Sequence, residues 1–152
     1  MATFDKFISN CRELNELAIR SEGFSAVPFP ELLTSEELIR LSKLVADVQG
    51  ELWSFEYGKR PKKFCILLDE KGGQVLWRES YKNTLFKFSK FDLFIWSPEE
   101  HEYFVIFGET KFVDLANNLE IFPYSFGDYL DEESFSNKKL EYLANLRSRF
   151  SI

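Results

Sequence analysis

The sequence predicts an α+β fold. A central antiparallel meander sheet of five to six strands carries N-terminal and C-terminal helices packed on it. Three observations lead there. Apolar residues recur at helical spacing near both ends of the chain. Between Glu51 and Gly108 the period drops to two. No link in that middle stretch is long enough for a crossover helix, so successive strands run antiparallel. The length of 152 residues is the ordinary size of one domain, and no repeat or linker divides positions 1–152.

At the start, Thr3 to Arg20 reads as one amphipathic helix. Phe4, Phe7, Ile8, Cys11, Leu14, Leu17 and Ala18 form its stripe, and Gly23 stops it. "AVPFPEL" follows as an extended connector imposed by Pro28 and Pro30. In "TSEELIRLSKLVADVQG", Thr34 and Glu37 make a capping box. Leu38, Leu41, Val45 and Val48 form the apolar face, and Gly50 ends the helix. "ELWSFEY" alternates as a half-buried strand, and "KFCILLDE" is apolar on both faces, as a central strand is. "DEKGGQ" reads as a hairpin turn on Gly72 and Gly73, with "QVLWRES" the return strand. "TLFKFS", "FDLFIWS" and "EYFVIFGE" continue the sheet, with a bend at Ser89-Lys90. "KFVDLANNL" gives a turn or two of helix, "SFGDYLDEE" a short helix capped by Ser125, and "SNKKLEYLANLRSRF" the last helix. Helices from both ends then cover one face of the sheet.

Composition narrows the function. With 45% hydrophobic and 17% aromatic residues, 17 of them Phe, the chain buries a packed core and is not disordered. A net charge of −6 argues against a nucleic-acid binder and suits a basic partner. Cys11 and Cys65 are too far apart in sequence for a metal knuckle, and both read as small core hydrophobes. No uninterrupted apolar segment marks a signal peptide or a membrane span, so the expectation is a cytoplasmic protein.

Chemistry-bearing motifs are few. The one histidine, His101, stands among Glu99, Glu100 and Glu102 in "WSPEEHEYF". Consecutive side chains diverge, so they do not converge on one ion, and Ser97-Pro98-Glu99-Glu100 has turn composition. The segment reads as the acidic tip of a hairpin. Nucleophilic catalysis would need His101, and no G-x-S-x-G setting or phosphate loop is present. The expectation is therefore no catalytic residue, no metal and no cofactor. Lys59, Arg60, Lys62 and Lys63 in "YGKRPKK" read as a solvated loop guarding the sheet, with contact to a phosphate backbone the alternative. In "SFGDYLDEESF", Asp128, Asp131, Glu132 and Glu133 alternate with Tyr129 and other aromatics. That pattern serves either as acidic helix starts or as a cover for a basic cleft. Trp53, Trp77 and Trp96 all fall in expected strands and read as core.

Two segments resemble parts of the SUKH superfamily of bacterial toxin-immunity proteins. "KFCILLDEKGGQVLWRES" is similar to that family's paired strands, and "YSFGDYLDE" to its late aromatic helix. The small, acidic, aromatic-rich composition also resembles contact-dependent inhibition immunity proteins. The resemblance implies a non-enzymatic cytosolic protein that occludes the active site of a cognate toxin, with a nuclease one such target. The residues nominated for partner binding are Glu99, Glu100, Glu102, Asp128, Tyr129, Asp131, Glu132 and Glu133. The alternative is a small-molecule-binding or enzymatic domain with a pocket between sheet and helices, marked by Glu56, Arg78 and Asp92.

Overall fold

The computed structural model describes residues 3–10, 12–117, 122 and 136–152. The chain opens with helix α1 (Thr3–Phe7), a small hairpin of β1 (Ile8–Ser9) and β2 (Glu13–Leu14), and helix α2 (Glu16–Ser21). It continues through β3 (Ser25–Pro30), α3 (Ser35–Leu44), β4 (Gln49–Phe55) and β5 (Lys62–Leu67). Then come α4 (Glu70–Glu79), β6 (Asn83–Phe88), β7 (Leu93–Ser97), β8 (Tyr103–Gly108), α5 (Thr110–Ala116) and α6 (Asn137–Phe150). Six strands form one antiparallel sheet in the order β3-β8-β7-β6-β4-β5. The α+β architecture is the one expected. β6, β7 and β8 run as consecutive neighbours. β3 joins beside β8, and β4 with its hairpin partner β5 joins beside β6.

Helices pack on both faces of the sheet, where one covered face is expected from the sequence, and the β4–β5 end of one face stays open. Trp53, Leu85, Trp96 and Val105 are cross-strand neighbours on one face. They pack with Phe7 of α1, Leu14 of β2, Ile19 of α2, and Leu143, Leu146 and Phe150 of α6. Leu52, Phe86, Ile95 and Ile106 form the matching row on the other face. They pack with Leu38 and Leu41 of α3, Val113 and Ala116 of α5, and the half-buried Val75 and Leu76 of α4. This is why "EYFVIF" is apolar without alternation: every residue of β8 is buried.

Four of the expected elements are corrected. The helix from Thr3 to Arg20 is broken at Asn10, whose φ of 55° turns the chain into the β1–β2 hairpin, and Leu17 points into solvent. A second helix restarts under the Asn15 side chain, which accepts from the Leu17 and Ala18 amides. "AVPFPEL" holds strand β3. Ala26 donates its amide outward to the Ile152 carbonyl at 3.0 Å, and Pro28 and Pro30 share its parity. Their missing N–H groups would have pointed away from β8, so the ladder loses nothing. α3 keeps its capping box but ends at Leu44, which leaves Val48 exposed and Gly50 inside β4.

The fourth correction is the largest. "DEKGGQVLWRE" forms helix α4 and no return strand. Asp69 caps it, accepting from the Gly72 amide at 2.9 Å. Gly72 is there for close approach, since a Cβ would collide with the Leu67 carbonyl of β5. The link from β5 to β6 thus passes over the sheet, and β6 can pair beside β4. Trp77 is therefore on an exposed helix face and outside the core, while Trp53 and Trp96 are buried. Cys65 is corrected as well: β5 is an edge strand, and its free thiol is exposed.

Candidate functional site

The hairpin between β7 and β8 presents Pro98 to Glu102 as a tip. Its shape is fixed by backbone bonds. The His101 amide donates to the Pro98 carbonyl at 3.2 Å, and His101 adopts a left-handed φ of 59°. The Glu99 amide donates to the Asn83 side-chain oxygen at 2.8 Å, and the Glu31 amide to the Glu102 carbonyl at 3.0 Å. His101 Nε2 donates to the Ser80 carbonyl. The histidine thus anchors the tip to the loop after α4, and its neighbours Glu99 and Glu100 are turned out to solvent.

The carboxylates differ in what they meet. Glu102 is paired with Lys139 of α6. Glu99 and Glu100 have no ion-pair partner among the described residues. Partial desolvation, and then the charges of Glu99 and Glu102, raise the Glu100 carboxyl above its ordinary range. Beside them lies a cleft of about 350 Å³, bounded by the tip, the β1–β2 hairpin and α6. Glu13, Glu99, Glu100, Arg12, Arg149, Tyr103 and Tyr142 are among the residues that line it. Burial, and then Glu100 and Tyr142, push the Tyr103 phenol up to about 12, so it stays neutral.

On the other side of the tip is an aromatic pair that the sequence reading missed. Trp77 and Tyr81 are 59% and 66% exposed, with ring centroids 6.2 Å apart in an edge contact. The Tyr81 ring lies 6.4 Å from that of His101, which joins the pair to the acidic tip. The signal was available in sequence: Gly72, Val75, Leu76 and Glu79 keep helical spacing, and that spacing turns Trp77 outward.

Asp128, Tyr129, Asp131, Glu132 and Glu133, with the expected short helix around them, lie outside the described residues, as does Cys11. The three markers of a buried pocket do not converge. Asp92 is exposed, Arg78 lies 5.6 Å over the Phe64 ring, and Glu56 pairs with Lys59 and Lys82. A second groove, of about 510 Å³, runs over the open face of β4 and β5 past Glu51, Cys65, Leu67 and Lys87. Its charges satisfy one another or the backbone: Lys63 reaches Glu51 at 3.7 Å, and Lys87 donates to the Phe88 carbonyl at 2.9 Å. Among the described residues, no three metal-ligating side chains cluster, and no helix is long and apolar enough to cross a membrane. No protein-family model, curated protein or solved structure matches the chain.

Proposed function

We propose that this chain is a non-enzymatic protein that binds one basic protein partner, in the manner of an immunity protein occluding a cognate toxin. The carrying observation is the strip that runs from Trp77 through Tyr81 and His101 to Glu99 and Glu100. Exposed Trp and Tyr are the side chains that most often anchor protein interfaces. Carboxylates without an internal partner steer a basic surface toward them and raise the association rate. The tip is held by backbone and side-chain bonds before any partner arrives, so little ordering entropy is lost on docking.

The support is this surface together with the acidic composition. Of the segments that resemble the SUKH superfamily, the first folds as strand β5 followed by helix α4, and the second lies outside the described residues. The reading therefore stands on the strip and not on the likeness. The class of partner and a cytoplasmic setting belong to the same proposal.

The test uses the protein encoded immediately upstream, expressed as its C-terminal domain. Co-expression with this chain is expected to rescue growth. Trp77→Ala is expected to weaken the complex by about 2 kcal/mol, an anchor-sized loss. Glu99→Lys is expected to slow association most at low salt, since the screening length shortens as salt rises. Absence of rescue, or an affinity that neither substitution changes, would refute the assignment.

A further inference from the structure

The cleft beside the tip has a chemistry of its own. Its volume, about 350 Å³, is at the small end of the range of ligand pockets and suits one side chain better than a folded segment. Two of its walls are tyrosine rings, Tyr103 of β8 and Tyr142 of α6. Tyr103 is 9% exposed, and Phe150 stacks on it at 5.8 Å, so that ring is fixed in place. Glu100 lines the same cleft as both tyrosines, and after burial its charge is the next cause that raises each phenol.

Of the two arginines on the cleft wall, Arg149 is paired with a carboxylate and Arg12 rests on a ring. The Arg12 guanidinium lies 5.3 Å over the Tyr57 ring. Arg149 donates through Nε to Glu16 and lies 4.8 Å over Phe150. Glu102 is neutralised by Lys139. Among the described residues of the cleft wall, Glu13, Glu99 and Glu100 have no ion-pair partner, against the one guanidinium of Arg12, so the wall carries an excess of negative charge next to two tyrosines. Carboxylates and ring faces both attract a cation, and the attraction strengthens where water is thinned.

We propose that this cleft receives one cationic side chain of the partner, a lysine ammonium or an arginine guanidinium, between Glu99, Glu100, Tyr103 and Tyr142. The inference rests on the reading of the tip as the partner-binding surface. Continuity with that surface is what favours a partner's side chain over a free polyamine, because a protein docked on Trp77 and Tyr81 reaches the cleft past the tip. The seated cation would balance the excess negative charge of the wall and relieve the crowding of Glu100 by its two neighbours.

The test is an NMR titration of the full chain with N-acetyl-arginine methylamide, its lysine counterpart, spermidine and acetate. One of the capped cations is expected to shift the Asn83 side-chain amide and the backbone amides of Glu99, Glu100 and Tyr142 in a saturable way. Glu100→Gln is expected to weaken this about tenfold, as loss of one charge-assisted contact does. That substitution removes like-charge crowding, so the variant folds. Glu99→Gln is the second variant, and Trp77→Ala should leave the titration unchanged. Absence of saturable shifts, or equal shifts in both glutamine variants and the parent, overturns the proposal. Preference for spermidine overturns it in favour of a polyamine site, and preference for acetate in favour of an anion site at Arg12 and Arg149. Loss of partner affinity in Trp77→Ala without any cation binding leaves the tip as the interface and removes the pocket alone. Cation binding with a partner that ignores the tip removes both.

Discussion

At one edge of the sheet, Ala26 of β3 exchanges two backbone hydrogen bonds with Ile152, each 3.0 Å, and Pro28 and Pro30 take the next outward positions. At the other, β5 faces outward with Lys62, Lys63, Cys65 and Leu67 exposed. A bare edge is a template for pairing with another chain, and each edge avoids this by its own chemistry. The β3 side uses missing donors and a covering residue, so it stays compatible with a sheet buried on both faces. The β5 side uses charge, which needs water, so the helix layer that holds Phe7, Leu143 and Phe150 does not extend over it. Burial and exposure within one sheet thus follow from how its two edges are protected.

The sharpest way to break the contrast is to cut the same kind of contact on both sides. Phe107, buried between Phe7 and Phe94, has its ring 5.2 Å and 4.9 Å from theirs. Phe107→Ala is expected to cost about 3–5 kcal/mol in urea unfolding, since the cavity left among stacked rings cannot collapse. Leu67→Ala on the open face should stay within about 0.5 kcal/mol. Equal losses would show that the open face is covered in solution. Ile152→Pro removes the donor to the Ala26 carbonyl. It should cost about 1 kcal/mol, the net worth of one such bond, measured by the same unfolding midpoint.

Charge on the β5 edge is a matter of association more than of stability. Lys62→Thr with Lys63→Thr is expected to leave unfolding within about 0.5 kcal/mol. Sedimentation should nevertheless show higher oligomers, because the edge then presents an uncharged strand of high β propensity to its copies. A double variant that remains at the parent's sedimentation coefficient would mean that the edge is guarded by something other than lysine.

α3 is legible from its capping box and stripe, α6 from its stripe and late arginines, and strands β4 to β8 from their two-residue period. The hairpin tip at Pro98–Glu102 was legible for the same reason. The failures share a cause. Gly72 and Gly73, Pro28 and Pro30 were read for local conformation, whereas each answers to a neighbour: the Leu67 carbonyl for Gly72, and the outward side of the ladder for the prolines. "KFCILL" looked central because it is apolar, yet only its alternate residues meet α4 and β4, and Cys65 and Leu67 are left outside. Half of the candidate site, Glu99 and Glu100, was visible as charge in a turn. The other half, Trp77 and Tyr81, depended on recognising α4, and the cleft depended on α6 and the β1–β2 hairpin meeting at the tip.

The smallest expected effect concerns the ion network at the β4–β5 hairpin. Glu56 accepts from Lys59 at 2.7 Å and from Lys82 at 3.1 Å, and Lys82 also reaches the buried Glu79 at 3.1 Å. These hydrogen bonds, Lys59's first and Lys82's second, lower the Glu56 carboxyl from 4.5 to about 2. Glu79 first, and then Glu56, raise the Lys82 ammonium above 10.5. A carboxyl whose folded value lies below its unfolded one adds stability above the unfolded value and loses it as pH falls through the folded one. Glu56→Gln should therefore lower Tm slightly at pH 7, and the difference should shrink from pH 4.5 downward and vanish near pH 2. Lys82 works at the opposite end, where its contribution is complete below 10.5 and lost as pH rises through the raised value. Because the side chains of Glu56 and Lys59 are partly exposed, added salt should erase much of the Glu56 effect while leaving the Phe107 effect intact. A Glu56→Gln difference that persists at pH 2, or that salt does not touch, would show that the hairpin at the open edge is held by packing and not by its ion network.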